Sequence, residues 1–197
     1  MSFIRSFATL AVAAVAGSAS AQTFTFATFA DPSSGPVPPM FVYDSSGPGT
    51  LNAAWGQPGL TLQTPGSAAP DYSNVTFAMS TLVQTSALPF ATFTGGNIQF
   101  FDSSSTMIFR IDFSSAYLSG PLGFGAADLI GNNVVFSGPL VGSPLSQESF
   151  SFSFANQVAT ANGYTATAAF TSSAAPTPGA LALVGISGLV AARRRRA

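Results

Sequence analysis

Phenylalanine returns at every second position in several short windows of this chain, with small or polar residues between. In "ESFSFSF", Phe150, Phe152 and Phe154 fall on one side and Ser149, Ser151 and Ser153 on the other. In "TMIFRIDF", Met107, Phe109, Ile111 and Phe113 share a face. In "YTATAAF", Tyr164, Ala166, Ala168 and Phe170 oppose Thr165 and Thr167, and "VTFAM" repeats the pattern with Val75, Phe77 and Met79. Successive side chains of a strand point to opposite faces, so a period of two marks a strand buried on one side. A helix of this sequence would scatter the rings around its whole circumference. In "TFTFATFA", Phe24 and Phe26 are in phase and Phe29 is not, which predicts a bulge or the end of a strand.

The windows are separated by turn-forming clusters such as "DPSSGPVPP", "DSSGPG", "TGGN" and "SGPLVGSP". Short alternating strands between such turns predict an all-β fold, an antiparallel β-sandwich or jelly roll over residues 22–170. "GFGAADLIGNN" has room for one helical turn at most. From Thr171 the chain becomes small, polar and proline-containing, so residues 171–178 are expected as a linker. The apolar share of 47% and the 19 phenylalanines are enough for a sizeable core, which argues against disorder.

Composition excludes much chemistry. With no cysteine there are no disulfides, thiolates or cysteine-ligated metals, and with no histidine the commonest base and metal ligand are missing. No lysine is present for a phosphate-binding loop. Between residues 22 and 175, Arg110 stands alone against six aspartates and Glu148, giving −6. Such an acidic body is a poor partner for nucleic acid.

The two ends read as addresses. "MSFIRSFATLAVAAVAGSASAQ" carries Arg5, an apolar stretch, and then Ala19-Ser20-Ala21 before Gln22. That order predicts a signal peptide, residues 1–21, cut by signal peptidase after Ala21. The chain closes on "PTPGALALVGISGLVAARRRRA". The apolar run Gly179–Ala192 has 14 residues, about 21 Å as a helix, against a hydrocarbon core of roughly 30 Å. Arg193, Arg194, Arg195 and Arg196 end it abruptly, as a cluster held on the cytoplasmic side would. Long arginine side chains reach to the interface and let a short helix span. The expected layout is a short transmembrane helix over 179–192 and a basic cytoplasmic tail over 193–197.

Pro176-Thr177-Pro178, then Gly179 and a Gly/Ala/Leu/Val segment, then four arginines, resembles the PEP-CTERM sorting signal. The family's middle residue is typically glutamate, and here it is Thr177. The resemblance covers about the last 22 residues and implies nothing about the central fold. It implies a membrane-embedded exosortase-like processing enzyme as partner. It also implies transient insertion in the inner membrane, then delivery to the cell surface or its exopolysaccharide matrix.

The expected function is therefore that of an exported, non-enzymatic surface or matrix protein, structural or adhesive, with no cofactor and no resident metal. Two alternatives stand beside it. A carbohydrate-binding module would use Trp55, the single tryptophan, in "NAAWGQPG", stacking a sugar near Tyr43 or Tyr72, although a lone tryptophan is more often core or covers a sandwich end. A polysaccharide hydrolase would pair Glu148 with an aspartate. Asp102 in "FFDSSST", and Asp128 with Asn132 and Asn133, are candidate oxygen ligands for calcium or simple turn formers. Arg110 and Asp112, two apart, are expected as a surface ion pair. Asn74-Val75-Thr76 matches a glycosylation acceptor.

Overall fold

A computed structural model describes residues 22–32, 38–67, 69–87, 90–123 and 127–177. These residues form twelve strands: β1 (Phe24–Phe29), β2 (Phe41–Asp44), β3 (Thr50–Trp55), β4 (Thr61–Leu62), β5 (Tyr72–Ser73) and β6 (Thr76–Ser86) come first. They are followed by β7 (Thr92–Phe101), β8 (Met107–Leu118), β9 (Asp128–Asn132), β10 (Val135–Ser137), β11 (Leu145–Thr160) and β12 (Gly163–Pro176). All pairings are antiparallel.

The fold is not the expected sandwich or jelly roll. The order β2-β3-β6-β7-β8-β9-β11-β12 closes on itself, because β12 also pairs with β2 through Phe41↔Ala166 and its neighbours. The result is an eight-stranded up-and-down barrel. Alternation states that each strand buries one face. It does not state whether that face meets a second sheet or the far wall of its own sheet. The closing contact joins residues 125 positions apart (166 − 41 = 125), and no local pattern announces it. The expected C-terminal helix over 179–192 lies outside the described residues, which hold no helix. No helix among the described residues is long and apolar enough to cross a membrane, which says nothing of strands.

Two strand positions in the wall are shared. β9 and β10 lie in one register along β8, with Asn132↔Ser115 and Val135↔Asp112, so they form one strand broken at Asn133 (φ 50°). β1 and β2 follow one another along the same side of β12, β1 beside Phe170–Ala174 and β2 beside Gly163–Ala166. The β4–β5 hairpin continues the wall past β1 through mutual backbone hydrogen bonds between Thr28 and Gln63, 2.9 and 2.8 Å.

The linker expected over 171–178 starts later than its composition suggests, since β12 runs to Pro176. Ser172 and Ala174 continue the inward phase of Ala168 and Phe170 and are buried. They are small because β1 and its phenylalanines lie against them. At Phe26 the register of β1 slips by one residue, which is the bulge that the phase of Phe24, Phe26 and Phe29 predicts. Ser172 Oγ repairs the ladder there, donating to Ala27 O (2.9 Å) and accepting from Ala27 N–H (3.1 Å).

The interior is filled by rings. Phe152 lies 4.9 Å from Phe170 and 5.0 Å from Phe41, centroid to centroid. Phe29 stacks on Phe170 at 5.3 Å, and Phe100 on Phe109 at 5.6 Å. A barrel of eight strands is just wide enough for such filling. Halfway along, the inward phase flips in three neighbouring strands. Buried positions jump from Met79 to Leu82 in β6, from Ile98 back to Phe93 in β7, and from Phe113 to Ala116 in β8. Gly95 and Gly96 stand at the centre of this band. A Cβ on Gly95 would sit 2.6 Å from the Phe113 carbonyl oxygen, so no larger residue fits that approach. Ser80 Oγ accepts from Asn97 N–H (2.9 Å) and Thr94 Oγ1 from Val83 N–H (3.0 Å) across the band.

Candidate functional sites at the two rims

The strand directions give the barrel two unlike rims. Phe24 at the start of β1 pairs with Ala174 near the end of β12, so both termini of the described chain leave at one rim. Gln22 is exposed there. Pro176 pairs with Leu145, and Thr177 sends both its backbone N–H and its Oγ1 hydroxyl to Pro144 O, each at 3.3 Å. Two residues of the expected sorting tripeptide are thus joined to the barrel wall. Pro178, Gly179 and Arg193–Arg196 lie outside the described residues, as do Ala19 and Ala21.

The opposite rim holds a cavity of about 430 Å³. Its polar side chains come from three strands: Tyr43 from β2, Gln84 from β6 and Tyr164 from β12. Tyr43 Oη donates to Gln84 Oε1 (2.7 Å), and Gln84 Nε2 donates to Ser86 O (3.1 Å). Burial, with Asp44 beside it, pushes the Tyr43 phenol above its usual value, so it stays protonated as a donor. The Asp44 carboxyl is held below its usual range by Ser46, whose hydroxyl and backbone N–H donate to it at 2.6 and 2.8 Å. The apolar wall comes from Phe90, Ala91, Leu118 and Leu122. Leu118 is buried, whereas Phe90 is 48% exposed. Gly123 adopts φ +83° beside the Tyr164 ring, where a side chain would strike the phenol.

The residues singled out in the sequence are scattered. Trp55 lies in the core at 5% exposure, so the carbohydrate-binding alternative lacks the exposed ring it would need, and the core reading of this tryptophan fits its place. Its indole N–H has no hydrogen-bond partner among the described residues. Arg110 and Asp112 form a forked ion pair on the outer face of β8, Nε–Oδ2 2.8 Å and Nη2–Oδ1 2.6 Å. Asp102 Oδ1 accepts from the backbone of Ser104 and Thr106, which ties the β7–β8 turn. Asp128 is bonded to the hydroxyls of Ser119 and Ser153, Asn132 to Ser115, and Asn133 to Ser114. These oxygens and amides do not converge, and no group of three potential metal ligands occurs among the described residues. The half-buried carboxyl of Glu148 lies beside the Phe136 backbone, and burial raises its pKa. Asn74 Oδ1 accepts from Gly59 N–H (3.1 Å) and fixes a turn at φ 54°.

Sequence reasoning missed the cavity because its residues are dispersed over 122 positions (164 − 43 = 121, counted inclusively) and meet only through barrel closure. It also missed a polar knot around the buried Thr167. Thr167 Oγ1 donates to Asp31 Oδ2, and Asn156 Nδ2 donates to Thr167 Oγ1 (2.9 Å) at the bulge in β11. Asn156 at φ 49° was the one local signal for that bend.

No protein-family model, curated protein or solved structure matches the chain.

Proposed function

We propose that the chain is an exported, non-enzymatic surface or matrix protein that reaches its place through a C-terminal sorting tail of the PEP-CTERM kind. The observation that carries this reading is the order Pro176-Thr177-Pro178, apolar run, Arg193–Arg196, matched by a signal-peptide pattern ending at Ala21. The barrel is compatible with that life. Its inner face is ringed with phenylalanine, while its outer faces carry hydroxyls such as Thr25, Ser149, Ser153 and Thr171, all exposed. A wall of that polarity suits water and hydrated polysaccharide, the reverse of a lipid-facing barrel with its outer apolar band.

The structural or adhesive role is favoured by what the side chains can do. Histidine, cysteine and lysine are absent from the sequence, Asp102 ties a turn, Asp128 holds cross-strand hydroxyls, and Asp112 is paired with Arg110. An exosortase-like enzyme would be the processing partner, signal peptidase the other, and exopolysaccharide the surroundings.

The test is the intact mass of the protein recovered from its native cell. The expected mature chain begins at Gln22 and ends near Pro178. A recovered chain that still carries Arg193–Arg196 would overturn processing of the tail, and one that still begins at Met1 would overturn export by the leader.

A further inference from the structure

We propose that the cavity at the rim away from the termini is a binding site for a neutral, mostly hydrocarbon small molecule with a single hydrogen-bonding oxygen, such as a medium-chain alcohol. The inference is independent of the sorting tail.

The volume of about 430 Å³ lies in the range of roughly 300–1,000 Å³ usual for small-molecule sites, and the mouth of a β-barrel is one of their usual places. The cavity exists because the filling changes along the barrel axis. Below, phenylalanines close the interior. The buried Phe93 packs its edge against Tyr43 (centroids 6.4 Å apart, planes at 88°), and Leu118, also buried, lines the space. Above, the rim positions that face inward are Ala87 and Ala91, too small to fill the remaining space.

Charge decides the ligand class. Among the described residues, no acidic or basic side chain lines the space. A carboxylate or an ammonium entering it would lose water without gaining a partner of opposite charge, which disfavours the ionised form. Hydrogen bonding then decides how polar the ligand is. The Tyr43 hydroxyl hydrogen is given to Gln84, and Gln84 is itself turned toward Ser86. Tyr164 has no hydrogen-bond partner for its hydroxyl among the described residues, and its ring borders the space. One available phenol matches one oxygen. A sugar, with a hydroxyl on nearly every carbon, would leave most of its groups unpaired against Phe90, Leu118, Leu122 and Pro121. The 48% exposure of Phe90 is the surface such a ligand would cover.

The experiment uses the full chain and N-phenyl-1-naphthylamine, a neutral probe that fluoresces in apolar surroundings. The apolar tail takes up probe equally in every variant, so differences between variants report the rim. The expected result is a saturable component of one probe per chain, displaced by 1-decanol. Ala91→Trp fills the cavity and should weaken that component at least tenfold at unchanged thermal stability. Ala87→Trp, on the exposed rim, does the same if Ala91→Trp fails to fold. Tyr164→Phe should weaken displacement by decanol about fivefold, one neutral hydrogen bond. The proposal is overturned by the absence of a saturable component, by equal binding in the filled variants, or by displacement with decanoate or cellobiose in place of decanol. Unchanged decanol competition in Tyr164→Phe would overturn the assignment of the polar end.

Discussion

At the scale of single residues, burial separates side chains that composition leaves equivalent. The indole N–H of Trp55 sits in the core without an acceptor among the described residues, a penalty of about 1–3 kcal/mol. Trp55→Phe removes the orphaned donor along with some packing, so the two effects offset, and stability should change by less than about 1.5 kcal/mol. Trp55→Ala should cost about 3–5 kcal/mol. Urea unfolding followed by far-ultraviolet circular dichroism checks both, since the fluorophore is lost in each. Leu51, Ala53 and Trp55 alternate along β3 and are all buried on one side. Only the carbohydrate-binding alternative placed the ring at the surface. Glu148 gives a pH-dependent expectation. Burial raises its pKa in the folded state, so the native protein holds this proton more tightly than the unfolded chain does. The sign follows: stability falls as pH rises through the ordinary glutamate range, about 4.3, toward the raised value. Glu148→Gln should be the more stable form at pH 7 by less than about 1 kcal/mol, because the half-exposed carboxylate is screened. The difference should vanish below about pH 4, as thermal melts across that range would show.

At the scale of elements, hydroxyls repair the ladder where it is interrupted. Ser172 accepts from and donates to the Ala27 backbone at the bulge of β1 and is itself 1% exposed. Ser172→Ala leaves that N–H and that C=O buried with one partner fewer, and should cost about 1–3 kcal/mol. Thermal unfolding checks it, and Ser173→Ala on the outer face of the same strand should be within about 0.5 kcal/mol of the parent. Strands were the legible part of this protein: β8, β11 and β12 follow the period written in their sequences. Their limits were less so. The segment from Thr171 looks like linker because small and hydroxyl side chains also make linkers, and its strand character comes from β1 and β11 on either side. The flip at Gly95 and Gly96 is hidden for a related reason. Two glycines signal a permissive backbone, but only three adjacent strands turning together make a corner of it.

At the scale of the molecule, everything depends on one seam. β2 has four residues and is paired on both sides, with β3 and with β12. Val42→Pro removes a backbone donor from a strand with no free edge, and should cost about 3 kcal/mol or more. Hydrogen exchange should then show lost protection at Thr165 and Asn52, its two partners, before the β7–β8 pair is affected. Equal loss in both regions would mean that the seam is no weaker than the rest of the wall. Closure, and with it the rim cavity, was not legible from sequence, since Tyr43 and Tyr164 carry no mark of each other. The hydrophobic contacts of the interior depend on the same closure, because Phe41 on β2 lies against Phe152 and Phe154 on β11.

The shared exit of both termini also sets how the barrel bears load. Force pulling the two ends apart would open the β1–β12 pairs one by one from Phe24↔Ala174, as a zip opens, and would meet little resistance. Force applied between the C-terminus and the opposite rim would instead run along β12, whose hydrogen bonds to β11 reach from Leu145↔Pro176 to Thr160↔Gly163 and would all be strained together in shear. A barrel tethered by its tail and gripped at its far mouth is therefore stressed in its strong direction.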